Sequence, residues 1–161
     1  MILLKSTGAS QSREEAAVTV GHDPLTADIE DLLRKVSILI RKRGRDILSN
    51  FDITPPQFNA LIALNEAGDL TMGELCERMY LACSTATDLI DRMERNGLID
   101  RERDLRDRRV VRLRIKDEGH RVIASVMAAR ISYLASVLER VPIEERERLA
   151  AALLQIYSLM V

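Results

Sequence analysis

The 161-residue chain has no tryptophan, and its aromatics amount to only 3%. A core or pocket built from it is therefore mostly aliphatic, and an aromatic-sandwich ligand site is disfavoured. Histidine is equally scarce. His22 and His120 lie far apart, and neither they nor Cys76 and Cys83 fall at metal-ligand spacing, so no metal site is expected. There is no Ser-His-Asp pattern and no glycine-rich phosphate loop. With so little acid–base chemistry near neutral pH, no catalytic residue, no cofactor and no enzyme are expected. Two cysteines inside helical patterns make no secreted disulfide framework. Ile2-Leu3-Leu4 is too short for a signal-peptide core, and no apolar run approaches membrane-spanning length. A cytoplasmic protein with no membrane partner is the default expectation. Nor is there an excess of either charge: 24 basic residues against 25 acidic give a net charge of −1.

What is present centres on Thr71 to Gly97. Thr71 with Glu74 three residues on forms a capping box that opens a short helix. Leu75 and Met79 lie one turn apart on its apolar side. Tyr80-Leu81-Ala82 reads as a turn. A second helix follows, with Ala86, Leu89, Ile90 and Met93 on one apolar face and Asn96-Gly97 as its left-handed stop. Its other face carries Ser84, Thr87, Asp88, Asp91, Arg92 and Arg95. A slim helix with a polar face and small residues at its start fits a DNA major groove, where first-turn side chains reach base edges. The spacing predicts a helix-turn-helix.

The flanking chain supports a mainly α fold with a small β-hairpin wing. The length favours one domain, with or without a dimerisation element. Residues 1–22 lack a sustained period and read as a mobile arm. Asp23-Pro24 opens a helix that keeps its apolar spacing to about residue 49. Near its end, Arg41-Lys42-Arg43 and Arg45 complement the helix dipole or reach a phosphate. Thr54 and Gln57 form a second capping box, and Gly68-Asp69 ends that helix; Leu70 can form a very short strand. Leu98-Ile99 and Val110 to Ile115 read as strands around a charged tip, Asp104 to Arg109. Asp117 to Arg140 is a long helix with an apolar stripe. Pro142 breaks it and admits a last helix in which Leu149, Leu153, Ile156, Tyr157 and Met160 face inward. The first helix and the last two carry more apolar stripe than one small lobe would use, so part of it is expected to pack against a second copy. The expected organisation is dimerisation helices over 23–50 and 116–161 and a winged helix-turn-helix lobe over 51–115.

Charge is unevenly placed. Residues 101–116 hold eight basic and three acidic residues, a local surplus of five beside the second helix. Binding by phosphate neutralisation needs such an arrangement, which whole-chain charge hides.

Several stretches resemble the MarR (multiple antibiotic resistance regulator) family of winged helix-turn-helix transcription factors. Ser84-Thr85-Ala86-Thr87, Leu89 to Glu94 and Gly97-Leu98-Ile99 are similar to the family's recognition helix. Asp107-Arg108-Arg109, then Ile115 and Asp117-Glu118-Gly119, is similar to its wing motif. The resemblance spans roughly residues 25 to 160. It implies a homodimer of triangular outline, with the first and last two helices at the interface. It implies that each recognition helix enters a major groove and that Arg109 of each wing enters the adjacent minor groove. It also implies repression relieved by a small, often phenolic or anionic, ligand. The chain departs from the family's pattern at Asp88 and Cys83, where basic or polar residues are common. Its motif Leu-Thr is here Ile115-Lys116, so Asp117 is the expected substitute cap.

The DNA-binding residues expected are Ser84, Thr85, Thr87, Asp88, Arg92, Arg106, Arg108 and Arg109, with Asp107 orienting Arg109 through a bidentate pair. The alternative for the hydroxyl residues is helix capping. Asp88 can accept from a cytosine amino group or pair with Arg92. Asp91 and Arg95 are expected as an intrahelical pair. Cys83, near a helix N-terminus, is a possible redox switch, against the plainer reading of a small turn residue, while Cys76 is expected in the core. The expected partner is a near-palindromic double-stranded operator bound by a homodimer. The competing function is a winged-helix protein-interaction module that binds no DNA.

Overall fold

The computed structural model describes residues 23–104, 107 and 110–161. The expected arm over residues 1–22 lies outside the described residues, as do Arg106, Arg108 and Arg109. The chain divides into two units, residues 1–38 and residues 39–161.

In the first unit the described residues belong to helix α1 (Pro24–Ser49), which continues past the boundary. The Asp23 carboxylate accepts the Leu25 N–H at 3.3 Å, as a cap should. Lys35 pairs with Asp31 at 2.5 Å and Arg34 with Glu30 at 3.6 Å, one helical turn apart. Leu25, Leu32 and Val36 are exposed.

The second unit is built around one aliphatic core. Helix α2 (Pro55–Ala67) starts with its prolines in the first turn and with the expected capping box: the Gln57 side chain accepts the Thr54 N–H at 2.9 Å. It ends at Gly68 in a positive-φ conformation that suits glycine. The short strand β1 (Leu70–Thr71) leads into α3 (Met72–Met79), whose cap is the Thr71–Glu74 box. Tyr80 closes α3 in the left-handed conformation, with φ of 53°. After two residues α4 (Cys83–Arg95) begins, and Gly97, at φ of 70°, turns the chain into β2 (Ile99–Arg103). Strand β3 (Val111–Ile115) returns antiparallel to β2, with Arg103 opposite Val111 and Ile99 opposite Ile115. β1 adds to the other edge of β3, so the sheet order is β1-β3-β2. β2 therefore runs four residues beyond the Leu98-Ile99 expected from apolar content. Its outer residues are polar, and ladder hydrogen bonds rather than burial hold them.

Phe58, Leu61, Leu64, Leu75, Ile90, Met93, Ile99, Leu113 and Val126 form the fully buried centre. Val126 comes from α5 (Asp117–Leu138). α5 begins against the hairpin, and the fit requires a glycine. A Cβ on Gly119 would stand 2.4 Å from the Leu98 carbonyl oxygen and 2.7 Å from Ile115 Cγ2. Asp117 does not cap this helix. It is the first helical residue, Lys116 is the N-cap, and no side chain bonds there. The acidic pair Asp117 and Glu118 instead favours the helix dipole. By length and composition α5 is apolar enough to cross a membrane, with a mean hydropathy of 1.4. That departs from the expectation that no run comes near that length, because its charges cluster at its start and beyond Arg121 only Arg130 is charged.

Helix α6 (Ile143–Met160) has no buried residue. Leu149, Leu153, Ile156, Tyr157 and Met160, expected to face inward, are all exposed within this chain. The basic cluster on α1 also differs from expectation. No basic residue lies in the last turn, and the Arg43 guanidinium stacks on the Tyr133 ring, 5.0 Å from its centroid. Stacking on an aromatic face is a better use of a guanidinium than a distant dipole.

Candidate nucleic-acid interface

Helix α4 separates its faces cleanly. Ala86, Ile90 and Met93 are fully buried, while Ser84, Thr85, Thr87, Asp88, Arg92 and Arg95 are exposed. The hydroxyl residues do not cap it. Ala82 is the N-cap and no side chain bonds to the first-turn N–H groups. Thr87 Oγ1 donates to the Cys83 carbonyl at 2.8 Å, one turn back. The first turn of α4 thus presents unsatisfied donors and small hydroxyls to solvent, an arrangement suited to a phosphate.

Ion pairs fix α4 to the sheet. Arg101 on β2 bonds both to Asp91 and to Glu94, the latter at 2.8 Å. The expected Asp91–Arg95 pair is therefore not made by the carboxylate. Arg95 Nε instead donates to the Asp91 backbone carbonyl at 3.2 Å. Among the described residues no ion pair joins Asp88 to Arg92.

The surplus of cations beside α4 is smaller than the residue count suggests. Arg112 pairs with Asp104 at 2.6 Å, and Arg114 with Asp69 at 2.7 Å and Glu102 at 2.9 Å. Lys116 pairs with Asp100 at 3.2 Å. Asp69, Asp91, Glu94 and Asp100 lie outside the 101–116 window yet neutralise cations within it. The hydrogen bond from Arg114 holds the Asp69 carboxyl below its ordinary range, and the bond that Arg112 donates to Asp104 raises the Arg112 guanidinium. Among the described residues of the window, only Arg103 is a cation without an ion pair.

Asp104 is the functional residue that sequence reasoning missed. It accepts the Asp107 N–H at 3.2 Å as well as Arg112 Nε, and its own N–H reaches the Val110 carbonyl at 2.9 Å. It closes the base of the hairpin between β2 and β3. An Asp three residues before a backbone N–H in a charged loop was the available signal. Asp107 is exposed, and its expected partner Arg109 lies outside the described residues.

The two cysteines separate as expected, Cys76 buried and Cys83 exposed. The Cys83 thiol beside it, together with burial, pushes the Cys76 thiol up to about 11. The described residues contain no cluster of His, Cys, Asp or Glu able to hold a metal.

A recognition helix packed on a buried core, preceded by a tight turn and followed by a two-stranded wing that β1 extends to a three-stranded sheet, defines a winged helix-turn-helix DNA-binding lobe. Comparison with known proteins gives the family. Residues 53–111 match the MarR family model. YsmB of Bacillus subtilis, an uncharacterized HTH-type transcriptional regulator, is 51% identical over 119 residues, covering 74% of this chain and 82% of its own. The HTH-type transcriptional repressor MdtR of the same organism is 33% identical, covering 81% and 83%. A MarR family protein from Bacillus stearothermophilus superposes with a TM-score of 0.78 at 48% identity, over 86% of this chain and 97% of that one. The chain belongs to the MarR family and is a DNA-binding transcriptional regulator, not an enzyme.

Proposed function

We propose that this regulator is a homodimeric repressor that occupies a near-palindromic operator in the cytoplasm and is released by a small ligand or an oxidant. The observation that carries the reading is the first turn of α4, uncapped by any side chain and lined by exposed Ser84, Thr85 and Thr87. In this reading these three meet phosphates and base edges, with Asp88 and Arg92 further along the same face. Arg106, Arg108 and Arg109 at the wing tip add cations, and Asp107 orients Arg109. A guanidinium suits a narrow minor groove because of its negative potential.

The dimer reading rests on α6. A helix with Leu153, Leu154 and Tyr157 exposed and no buried residue is stable only when something covers it. A second copy covers it symmetrically. Residues 23–50 and 116–161 are proposed to form that interface, and 51–115 to read DNA.

The ligand reading rests on a cavity of about 470 Å³ lined by Arg41, Arg43, Arg45, Arg130, Tyr133 and aliphatic neighbours. Arg130 stacks on Phe58, 4.7 Å from the ring centroid, and its buried Nε has no hydrogen-bond partner. A buried guanidinium donor left unpaired is costly, and a carboxylate or phenolate would satisfy it.

Genome-wide mapping of bound sites, followed by footprinting, tests the function. Two protected half-sites about 34 Å apart are expected. A single protected half-site, or no DNA retained at low salt, would favour a protein-docking module instead.

A further inference from the structure

We propose that Tyr80, in the turn between α3 and α4, contacts DNA: its hydroxyl donates to a phosphate at the rim of the groove that α4 enters, and its ring lies against the adjoining sugar. The proposal rests on the reading of α4 as the DNA-reading helix.

Tyr80 is unusual in its backbone and in its side chain. The backbone is left-handed, with φ of 53° and ψ of 40°. Glycine adopts that region without steric cost, and a bulky side chain does not. After α2 and α4 the positive-φ positions are filled by Gly68 and Gly97. The other non-glycine residue there, among the described residues, is Asp52, a short polar type that tolerates the region. The Tyr80 side chain is 96% exposed, so its ring buries almost nothing to offset the strain.

The dimer does not account for this ring. Among the described residues, the exposed large hydrophobics lie within 23–50 and 116–161, the helices proposed to face a second copy, with two exceptions. These are Val111, which is 40% exposed, and Tyr80.

The turn holds Tyr80 firmly. Its N–H donates to the Glu77 carbonyl at 3.2 Å, and the Leu81 N–H donates to the Cys76 carbonyl at 3.0 Å. Only Leu81 and Ala82 separate it from α4, whose first turn is uncapped by any side chain. Tyr80 thus lies outside the helix, next to the end that enters the groove. Phosphates and sugars line that rim. A phenol suits both, since its hydroxyl donates to a phosphate oxygen and its apolar ring covers the sugar. It brings no cation, so its contribution does not depend on counterion release.

The test measures affinity of the full chain for a duplex from upstream of its own gene, over a salt series, with stability from urea unfolding. Tyr80→Phe keeps the ring and loses the donor; its affinity should fall about tenfold with the salt slope unchanged. Replacing single phosphates of the duplex by neutral methylphosphonates should reveal one position at which wild type and Tyr80→Phe bind alike. Tyr80→Gly should bind at least as weakly as Tyr80→Phe, yet unfold at a higher urea concentration, because glycine relieves the left-handed strain. A residue that merely closes α3 would give the higher midpoint without the loss of affinity. Both variants binding as wild type does, while Arg92→Ala weakens binding, would overturn the proposal and leave α4 as the reading helix. Arg92→Ala and both Tyr80 variants all binding as wild type does would overturn the α4 reading and the proposal with it. A lower midpoint in Tyr80→Gly would also overturn the proposal, since it would mean that the ring serves its own fold.

Discussion

Arg101 on β2 reaches across to Glu94 on α4, their charged atoms 2.8 Å apart, and the same guanidinium holds Asp91. One side chain thus fixes the exposed face of the recognition helix to the wing. Its side chain is only 28% exposed, so solvent screens the link incompletely. Arg101→Ala is expected to cost about 1 kcal/mol or less in stability. It should weaken operator binding several-fold while leaving the salt dependence unchanged, because Arg101 positions α4 and touches no phosphate. Affinity measured over a salt series checks this, and a flatter slope in the variant would show that Arg101 contacts DNA directly.

Arg109→Ala should behave in the opposite way. Losing one phosphate-neutralising cation lowers the slope of log affinity against log salt by about one. Arg103, which has no ion pair among the described residues, is expected to lower the slope likewise when changed to Ala. An unchanged slope in both variants would remove the wing from the DNA contact.

Gly119→Ala should destabilise the fold. The added methyl meets backbone oxygen at 2.4 Å, which cannot swing aside as a flexible side-chain end can. Overpacking of this kind costs about 1–3 kcal/mol, read as a lower urea midpoint with unchanged slope. A midpoint equal to that of the wild type would mean that α5 shifts freely on the hairpin.

Acid should loosen the sheet edge through Asp69. Its hydrogen bond from Arg114 lowers its folded value below the ordinary 3.8. A carboxyl lowered in the folded state contributes stability above its unfolded value. That contribution is lost as pH falls through the folded value. Asp69→Asn should therefore lower stability at neutral pH and reduce its loss below about pH 4. Unfolding by urea at a series of pH values checks the sign. Parallel curves for the two proteins would contradict it.

Local signals in this chain were legible, and signals between distant residues were not. Thr54–Gln57 and Thr71–Glu74 are reciprocal bonds within four residues, and both capping boxes are formed. The apolar period of Ala86, Ile90 and Met93 translated directly into burial. Asp91 was misassigned because the helical rule pairs it with Arg95, whereas the winning partner, Arg101, lies ten residues away on a strand. Counting charge over 101–116 failed similarly, since Asp69 meets Arg114 across 45 residues of sequence. The Arg43–Tyr133 stack and the orphaned Nε of Arg130 depend on packing between helices, which no short-range pattern encodes. The apolar stripe of α6 was visible as periodicity. Periodicity, however, does not say whether a face is covered by its own chain or by another.

The central claim is that paired copies present two recognition helices to one duplex. Titrating labelled upstream DNA with protein of known concentration, with mass from light scattering at each step, tests it most directly. Two chains per duplex, with affinity falling steeply as salt rises, is the result expected. One chain per duplex, or affinity indifferent to salt, would contradict it.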